Sequence, residues 1–202
     1  MMERFRAFWT KVFSPVAHLL LRWGVSPDAV TVVGTLGVCA GALVFFPQGK
    51  LLIGVIVITL FVFSDLVDGH MARLSGRSSP FGAFLDSTLD RFGDAAIFGG
   101  LVLYYVGPGD SEPLAALALY CLVMGSVTSY ARARAESLGM QAKVGIAERS
   151  DRLVSILLMT GLADLLNVMF LIPLTLAALA VASTITVVQR ILLVRSQAKA
   201  AA

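Results

Sequence analysis

The sequence predicts an all-α integral membrane protein with six transmembrane helices and an amino-terminal amphipathic helix at the membrane interface. Of its 202 residues, 57% are hydrophobic and 14% are charged, whereas a soluble domain usually carries about 25% charged residues. A helix needs roughly 20 apolar residues to cross about 30 Å of hydrocarbon, so the chain has room for about six spans with short loops. We therefore expect residues 1–202 to form a single membrane domain.

Residues 1–25 are predicted to form a helix that lies on the membrane surface. Their apolar side chains recur at helical spacing on one face, while the basic side chains fall largely on the other. Lys11, His18 and Arg22 interrupt the apolar run, so a cleaved signal peptide is not expected. The apolar face consists of Phe5, Phe8, Trp9, Val12 and Phe13.

Six apolar segments follow and predict the transmembrane spans. Gly34, Gly37 and Gly41 in the first segment permit close contact with a neighbouring helix. The alanine-rich tail, residues 197–202, is predicted to be disordered. The expected spans are 29–46, 51–68, 83–105, 114–131, 152–163 and 168–189.

Positive charge is concentrated on one set of connections. Of 16 Lys and Arg residues, Lys50 alone falls on the loops that follow the first, third and fifth spans. By the positive-inside rule, both termini therefore face the cytoplasm. The net charge of +3 lies between apolar runs, which favours a membrane surface over nucleic acid as the partner. Cys39 and Cys121 lie in apolar segments and are expected to be core residues.

Aspartates are concentrated where the second and third spans meet their shared loop. Asp65 and Asp68 are three residues apart, and Asp86 and Asp90 are four apart, so each pair shares a helix face. An ionisable residue inside a bilayer costs about 2.5 to 3.5 kcal/mol on insertion scales, so this concentration requires compensation. The short loop brings both helices to one side of the membrane, and the four carboxylates can converge near the cytoplasmic boundary.

Two interpretations of these carboxylates follow from the residues alone. Hard oxygen ligands suit Mg²⁺ or Mn²⁺ and argue against zinc, and His70 is expected to be a bystander. Alternatively, the aspartates form an interfacial salt-bridge network with Arg73, Arg77 and Arg91. Asp94 lies one turn deeper, where a structural hydrogen bond is expected.

A known signature is matched, at its spacing, by eight residues of this chain: Asp65, Asp68, Gly69, Ala72, Arg73, Gly82, Asp86 and Asp90. The chain therefore resembles the CDP-alcohol phosphotransferase family, whose members transfer a phosphatidyl group from a CDP-linked lipid to an alcohol and release CMP. The resemblance implies six spans with an interfacial helix, a homodimer, and a bacterial cell membrane location with a cytoplasmic active site.

The resemblance also implies roles for individual residues. Mg²⁺, with Mn²⁺ as an alternative, would be bound as two ions by Asp65, Asp68, Asp86 and Asp90. Asp90 would also accept the proton of the attacking hydroxyl. Independently of the resemblance, tight helix packing remains an alternative explanation for glycine at positions 69 and 82. The residues implied in CDP-diacylglycerol binding are Asp28, Ala29, Val30, Thr31, Gly69, Arg73, Ser79 and Gly82.

The acceptor is indicated by cationic residues near the cytoplasmic ends of the later spans. Arg134, Arg152 and Arg190 resemble the acceptor-phosphate positions of the actinobacterial branch that makes phosphatidylinositol phosphate. This implies transfer from CDP-diacylglycerol to L-myo-inositol 1-phosphate. Arg132 and Arg149 are expected merely to satisfy the positive-inside bias.

Two other functions remain as alternatives. A phosphatidylglycerophosphate synthase also uses a phosphorylated acceptor, glycerol 3-phosphate, and the arginines do not separate the two acceptors. A cation-coupled transporter is disfavoured, because transport sites usually lie near the bilayer midplane between structural repeats. The aspartates of this chain crowd one boundary, and no repeat is visible.

Overall fold

The structure is a computed structural model that describes residues 14–76 and 79–200, with the backbone alone at residues 65 and 66. Every regular element in these ranges is a helix, as the sequence predicts. The helices are α1 (14–22), α2 (Pro27–Ala40), α3 (Leu51–Val62), α4 (Ser64–Ser75), α5 (Pro80–Val106), α6 (Glu112–Ser137), α7 (Arg149–Leu165) and α8 (Leu171–Ala200). A π-helical turn at Gly41–Phe45 and a 3-10 turn at Phe46–Gln48 extend α2.

Within the described chain, four helical segments are long and apolar enough to cross a membrane. The second of them joins α3 and α4 at Phe63, where the predicted span 51–68 is interrupted. α5 carries charged residues in its first half, and α7 has 17 residues, which explains why neither qualifies by length and composition. The four segments are Pro27–Gln48, Leu51–Ser75, Glu112–Ser137 and Leu171–Ala200.

Six helices form a closed ring in which each packs on two neighbours. The order is α2, α5, α6, α8, α7 and α3, and α3 returns to α2. Phe46, Leu51, Ile58, Leu101 and Leu176 are fully buried in the apolar core between them. α4 packs on α2 and α3 and leads to the start of α5. The candidate site residues gather at this end of the ring.

The contact of α2 with α3 and α4 depends on small residues, as the sequence predicts. A Cβ atom at Gly34 would overlap Ser64, and one at Gly37 would overlap the ring of Phe61. At Gly41 it would lie 2.8 Å from a side-chain carbon of Ile58. Larger residues at these positions would therefore force the helices apart.

The amino-terminal helix is described only in part. Residues 14–22 are helical, and Ala17 is fully buried against Val67 and Met71 of α4. The predicted apolar face between Phe5 and Phe13 lies outside the described residues. The described part of α1 thus packs on α4, the helix that carries the signature aspartate Asp68.

The carboxy-terminal tail differs from the sequence prediction. α8 continues as a helix through Ala200, so residues 197–200 are helical rather than disordered. Gln197 accepts a hydrogen bond from the Gln141 amide at 2.9 Å and donates one to its carbonyl at 2.6 Å. Alanine has the highest helix propensity, and these two hydrogen bonds provide the tertiary anchor that the sequence prediction did not include.

Candidate active site

Two helices begin side by side with the same capping arrangement. Ser26 caps α2 by accepting a hydrogen bond from the Ala29 amide at 3.2 Å, and Ser79 caps α5 by accepting one from the Gly82 amide at 2.9 Å. A proline follows each serine at the first helical position. Free amide groups and the positive ends of two helix dipoles therefore face the space between them, which favours a bound anion.

An open cavity of about 600 Å³, here called the α2–α5 cavity, lies between these two helix starts and α4. Ala29 and Val30, also predicted to bind the nucleotide, are not among its described lining residues; the side chain of Val30 packs towards α1 and α4 instead. Asp68 and Asp86 also line the cavity. The other predicted donor residues that it brings together are Asp28, Thr31, Gly69, Arg73, Ser79 and Gly82.

The two signature glycines have different surroundings. A Cβ atom at Gly82 would lie 3.3 Å from Ser79 Oγ and 3.5 Å from Asp28 Oδ1, so the cap of α5 already crowds this position. At Gly69 the nearest described atom would be Arg73 Nη1, at 3.8 Å. Packing within the described protein therefore does not require glycine at position 69, and its missing side chain leaves space in the cavity.

Three of the predicted metal-binding carboxylates belong to the described side chains. Asp68 is buried and accepts a 2.6 Å hydrogen bond from Thr31 Oγ1. Asp68 shares the α2–α5 cavity with Asp86, which is exposed, and shares a small cavity of about 80 Å³ with Asp90. Among the side chains that the structure describes, which exclude that of Asp65, no three acidic, histidine or cysteine groups meet as a metal site. Metal binding by the four aspartates stays a prediction.

Asp90 and Asp94 share two arginine partners. Arg149 Nη1 lies 2.9 Å from Asp90 Oδ1, and Arg149 Nε lies 3.0 Å from Asp94 Oδ1. Arg91 Nη2 lies 3.4 Å from Asp94 and 3.8 Å from Asp90, while Arg91 Nη1 contacts Ser129. Arg91 thus has the contact with Asp90 that the salt-bridge alternative predicts for this arginine, and Asp94 has the structural role expected of it.

Sequence reasoning missed the role of Arg149, which it assigned to the positive-inside bias. Arg149 is the first residue of α7, directly after the capping residue Glu148, and reaches α5 across the ring. One signal was present in the sequence: the deeply placed Asp94 needed a cation beyond its helical neighbour Arg91. The pairing of α7 with α5 was not apparent from the sequence.

A larger cavity of about 720 Å³, here called the arginine cavity, lies between α5, α6, α7 and α8. Arg152 and Arg190, two of the predicted acceptor-phosphate residues, line it and are buried. Arg134 is not among the described lining residues; it is exposed and donates to Ser137 Oγ at 3.3 Å. Arg132, two residues earlier, lines the cavity instead, because two residues turn a helix to a different face.

Asp90 lines both the small cavity and the arginine cavity. The α2–α5 cavity, the aspartates and the arginine cavity therefore lie next to one another, in this order, along one end of the ring. A family model for CDP-alcohol phosphatidyltransferase matches residues 24–194, which include every one of these residues. The chain belongs to the CDP-alcohol phosphatidyltransferase family.

Individual members of the CDP-alcohol phosphatidyltransferase family are similar over most of their length. Phosphatidylinositol phosphate synthase of Streptomyces avermitilis is 53% identical over 198 residues, which cover 95% of this chain and 81% of that protein. A crystal structure of phosphatidylinositol phosphate synthase of Mycobacterium tuberculosis with CDP-DAG bound matches at a TM-score of 0.87 and 42% identity. That match covers 91% of this chain and 94% of the other.

A second crystal structure of the mycobacterial phosphatidyltransferase contains manganese and citrate. It matches at a TM-score of 0.85 and 42% identity, and the match covers 90% of this chain and 88% of the other. The CDP-alcohol phosphatidyltransferase family uses divalent metals. The apolar helices of this chain fit a membrane protein of a bacterial lipid-synthesis family.

Proposed function

We propose that this chain transfers the phosphatidyl group of CDP-diacylglycerol to L-myo-inositol 1-phosphate, with phosphatidylinositol phosphate and CMP as products. The observation that carries the proposal is the position of Asp90, which lines the small cavity with Asp68 and also lines the arginine cavity. An acceptor hydroxyl beside Asp90 would thus have a phosphate-binding cavity on one side and the donor on the other. The names of the similar synthases support this acceptor.

The α2–α5 cavity is the proposed donor site. Its two helix starts direct amide groups and positive dipole ends at a pyrophosphate, and Arg73 offers a planar guanidinium for phosphate oxygens. Gly69 leaves open space in which the nucleotide can approach the backbone. Binding of CDP-DAG by the similar mycobacterial synthase supports this assignment.

We infer that Asp65, Asp68, Asp86 and Asp90 hold two Mg²⁺ ions, with Mn²⁺ as a substitute. The chemistry of the donor set fits, since carboxylate oxygens are the preferred ligands of these cations. The ions, when bound, neutralise charge that develops on the leaving phosphate. The Thr31 hydroxyl holds Asp68 Oδ2 in place before any ion enters, and the manganese complex of the similar synthase supports a divalent metal.

Asp90 is the proposed proton acceptor. The acceptor hydroxyl oxygen attacks the phosphorus that carries diacylglycerol, the bond from that phosphorus to the CMP oxygen breaks, and CMP leaves with the bonding electron pair. The hydroxyl proton passes to the Asp90 carboxylate. Arg149, 2.9 Å from Asp90 Oδ1, fixes the orientation of this carboxylate and compensates its charge.

Arg152 and Arg190 are the proposed ligands of the acceptor phosphate, together with Arg132 in place of the predicted Arg134. All three line the arginine cavity, and a doubly charged phosphate requires such a cluster, whereas an uncharged alcohol does not. Glycerol 3-phosphate would satisfy the same arginines.

We further propose that the chain spans the bacterial cell membrane six times, through α2, α3 with α4, α5, α6, α7 and α8. The basic residues on one set of connections support cytoplasmic termini and a cytoplasmic active site. The charged half of α5 would then lie at the cytoplasmic boundary of the membrane, where water and the other charged groups of the site compensate its charges. The interfacial helix proposed for residues 1–25 rests on its apolar periodicity and on the family resemblance. The proposed homodimer rests on the family resemblance.

The decisive experiment offers purified protein, Mg²⁺ and CDP-diacylglycerol to four acceptors in parallel: inositol 1-phosphate, glycerol 3-phosphate, inositol and serine. CMP release is measured, and the lipid product is identified by mass. We expect CMP release with inositol 1-phosphate, and its loss when EDTA removes the metal. Turnover with glycerol 3-phosphate instead would assign the alternative acceptor, and no CMP release with any acceptor would overturn the transferase assignment.

A further inference from the structure

The connection between α6 and α7, residues 138–148, ends at the arginine cavity, which its last residue, Glu148, lines. It is held by buried side chains of α7 and α8. Arg190 Nε donates to the Val144 carbonyl at 3.0 Å, and Arg152 Nη1 donates to the Ala147 carbonyl at 3.2 Å. Both arginines are at least 95% buried. The positions of these two carbonyls therefore determine where the two guanidinium groups lie.

The same guanidinium groups also contact α6. Arg190 Nη1 donates to the Thr128 carbonyl at 2.6 Å, and Arg152 Nη2 lies 3.5 Å from the Gly125 carbonyl. A guanidinium has five N–H donors, so these contacts leave donors on each arginine for an anion in the cavity that both line. Each arginine is thus fixed between α6 and the connection while part of it faces the cavity.

Thr186 of α8 holds the connection between these two carbonyls. It is fully buried, and its Oγ1 accepts hydrogen bonds from the amides of Ile146 and Ala147, both at 3.2 Å. The hydroxyl donates in turn to the Ala182 carbonyl at 2.8 Å. Thr186 lies one helical turn before Arg190, on the same face of α8.

Gly145 allows this close approach. Its φ of +148° is a conformation that other residues rarely adopt, and a Cβ atom there would overlap the Thr186 side chain. The residue next to it, Val144, carries the carbonyl that Arg190 binds. A side chain at position 145 would therefore displace the connection from α8 and move the partners of both arginines.

We propose that Gly145 and Thr186 form a clasp that positions Arg152 and Arg190 for the phosphate of the acceptor. The inference rests on the proposed function, because it concerns the same arginine cavity. The clasp residues do not touch the acceptor; they fix the carbonyls that orient the two guanidinium groups before the acceptor arrives. Such preorganisation lowers the ordering cost of binding and acts on the acceptor rather than on the donor.

Thr186→Val tests the clasp, because it keeps the shape of the side chain and removes the hydroxyl. The part-buried amide of Ile146 and the buried amide of Ala147 then lose their acceptor. We expect the KM for inositol 1-phosphate to rise about tenfold or more. The KM for CDP-diacylglycerol should stay within about twofold, since the α2–α5 cavity lies on other helices. Gly145→Ala is expected to give the same separation of the two KM values, and Thr186→Ser, which keeps the hydroxyl, should retain a near-normal acceptor KM.

Ser183→Ala is the matched control, since Ser183 is also a buried hydroxyl of α8, one turn from Thr186. Its Oγ has no hydrogen-bond partner among the described residues, so both KM values should be unchanged. Equal increases of both KM values in Thr186→Val, or an unchanged acceptor KM in Thr186→Val and Gly145→Ala, would overturn the clasp. Turnover of inositol 1-phosphate by the wild type would still support the proposed function if the clasp were overturned in this way. A wild type without such turnover would overturn both the clasp and the proposed function.

Discussion

Arg149 Nε lies 3.0 Å from Asp94 Oδ1 and joins the start of α7 to the middle of α5. The Asp94 side chain is 9% exposed and that of Arg149 is 32% exposed, so the pair is largely withdrawn from water. The same guanidinium reaches Asp90, the proposed proton acceptor. Arg149, at the start of α7, thus contacts both Asp94 and the proposed proton acceptor Asp90 on α5, although the two helices are distant in sequence.

A double-mutant cycle measures the strength of this pair. With Arg149→Gln and Asp94→Asn, we expect a coupling free energy of about 0.5 to 3 kcal/mol, because the two groups lie 3.0 Å apart and the Asp94 carboxylate is largely shielded from water. The free energy of unfolding in detergent micelles provides the measurement. The matched control is Arg132→Gln with Glu136→Gln, a pair with the same 3.0 Å separation but 41% and 49% exposure.

The control pair is exposed and spaced four residues apart on one helix, so its coupling should be about 0.3 to 0.5 kcal/mol. Equal coupling in the two cycles would show that the placement of Arg149 contributes no more than a surface ion pair. It would also remove the reason for giving Arg149 a part in orienting Asp90.

Gly69 offers a separate test of the donor site. Gly69→Ala should leave stability unchanged or raised, because the nearest described atom is 3.8 Å from the added Cβ and alanine favours helix by about 1 kcal/mol. The KM for CDP-diacylglycerol should rise, since the methyl group enters the cavity. Gly37→Ala, whose methyl would overlap the Phe61 ring, should instead lower the melting temperature. A destabilised Gly69→Ala with an unchanged donor KM would favour helix packing as the reason for that glycine.

Thr31 is expected to affect the metal through Asp68. Thr31→Val removes the hydroxyl that donates to Asp68 Oδ2 at 2.6 Å, and loss of such an outer partner typically weakens metal affinity about 10- to 100-fold. Mn²⁺ binding measured by electron paramagnetic resonance provides the test without turnover. Thr31→Ser keeps the hydroxyl and should bind Mn²⁺ nearly as tightly as the wild type. Equal affinities for all three proteins would mean that the hydrogen bond does not support a metal ligand.

The all-helical fold class and most residues that line the α2–α5 cavity could be predicted from the sequence for a common reason. Their signals are local: Ser26 and Ser79 each precede a proline at a helix start, and the aspartates repeat at helical spacing. Periodicity and capping operate within a few residues, so a single sequence contains them. The helix order around the ring, by contrast, depends on contacts between distant segments.

The acceptor half was predicted less completely because it is assembled from α5, α6, α7 and α8. Arg149 was assigned to membrane topology, although it reaches two carboxylates of α5. Arg134 was preferred over Arg132, and the face that each presents depends on how α6 packs on its neighbours. The resemblance to other chains gave the approximate position, and the helix packing determined which arginine lines the cavity.

Arg132 and Arg134 can be separated by kinetics. Arg132→Ala removes a cation from the lining of the arginine cavity, so the KM for inositol 1-phosphate should rise by about tenfold or more. Arg134→Ala should raise it less, because Arg134 is not among the described residues that line the cavity and its described partner is Ser137. The donor KM of both variants provides the internal reference. A larger effect of Arg134→Ala would restore the assignment made from the sequence.

Asp90→Asn tests the proposed proton acceptor. The amide keeps the shape of the side chain but cannot take a proton, so kcat should fall by about 10²- to 10⁴-fold. The variant should remain folded and should still bind CDP-diacylglycerol, because the α2–α5 cavity is lined by other residues. Binding of the lipid and release of CMP are measured on the same preparation.

Asp110→Asn is the matched control for this substitution. Asp110 is exposed in the connection between α5 and α6, and its φ of +41° is one that asparagine tolerates. The exchange of one carboxylate for an amide there should leave kcat unchanged. Normal turnover by Asp90→Asn would remove Asp90 as the base, because the proton of the acceptor hydroxyl would then have to leave through another group.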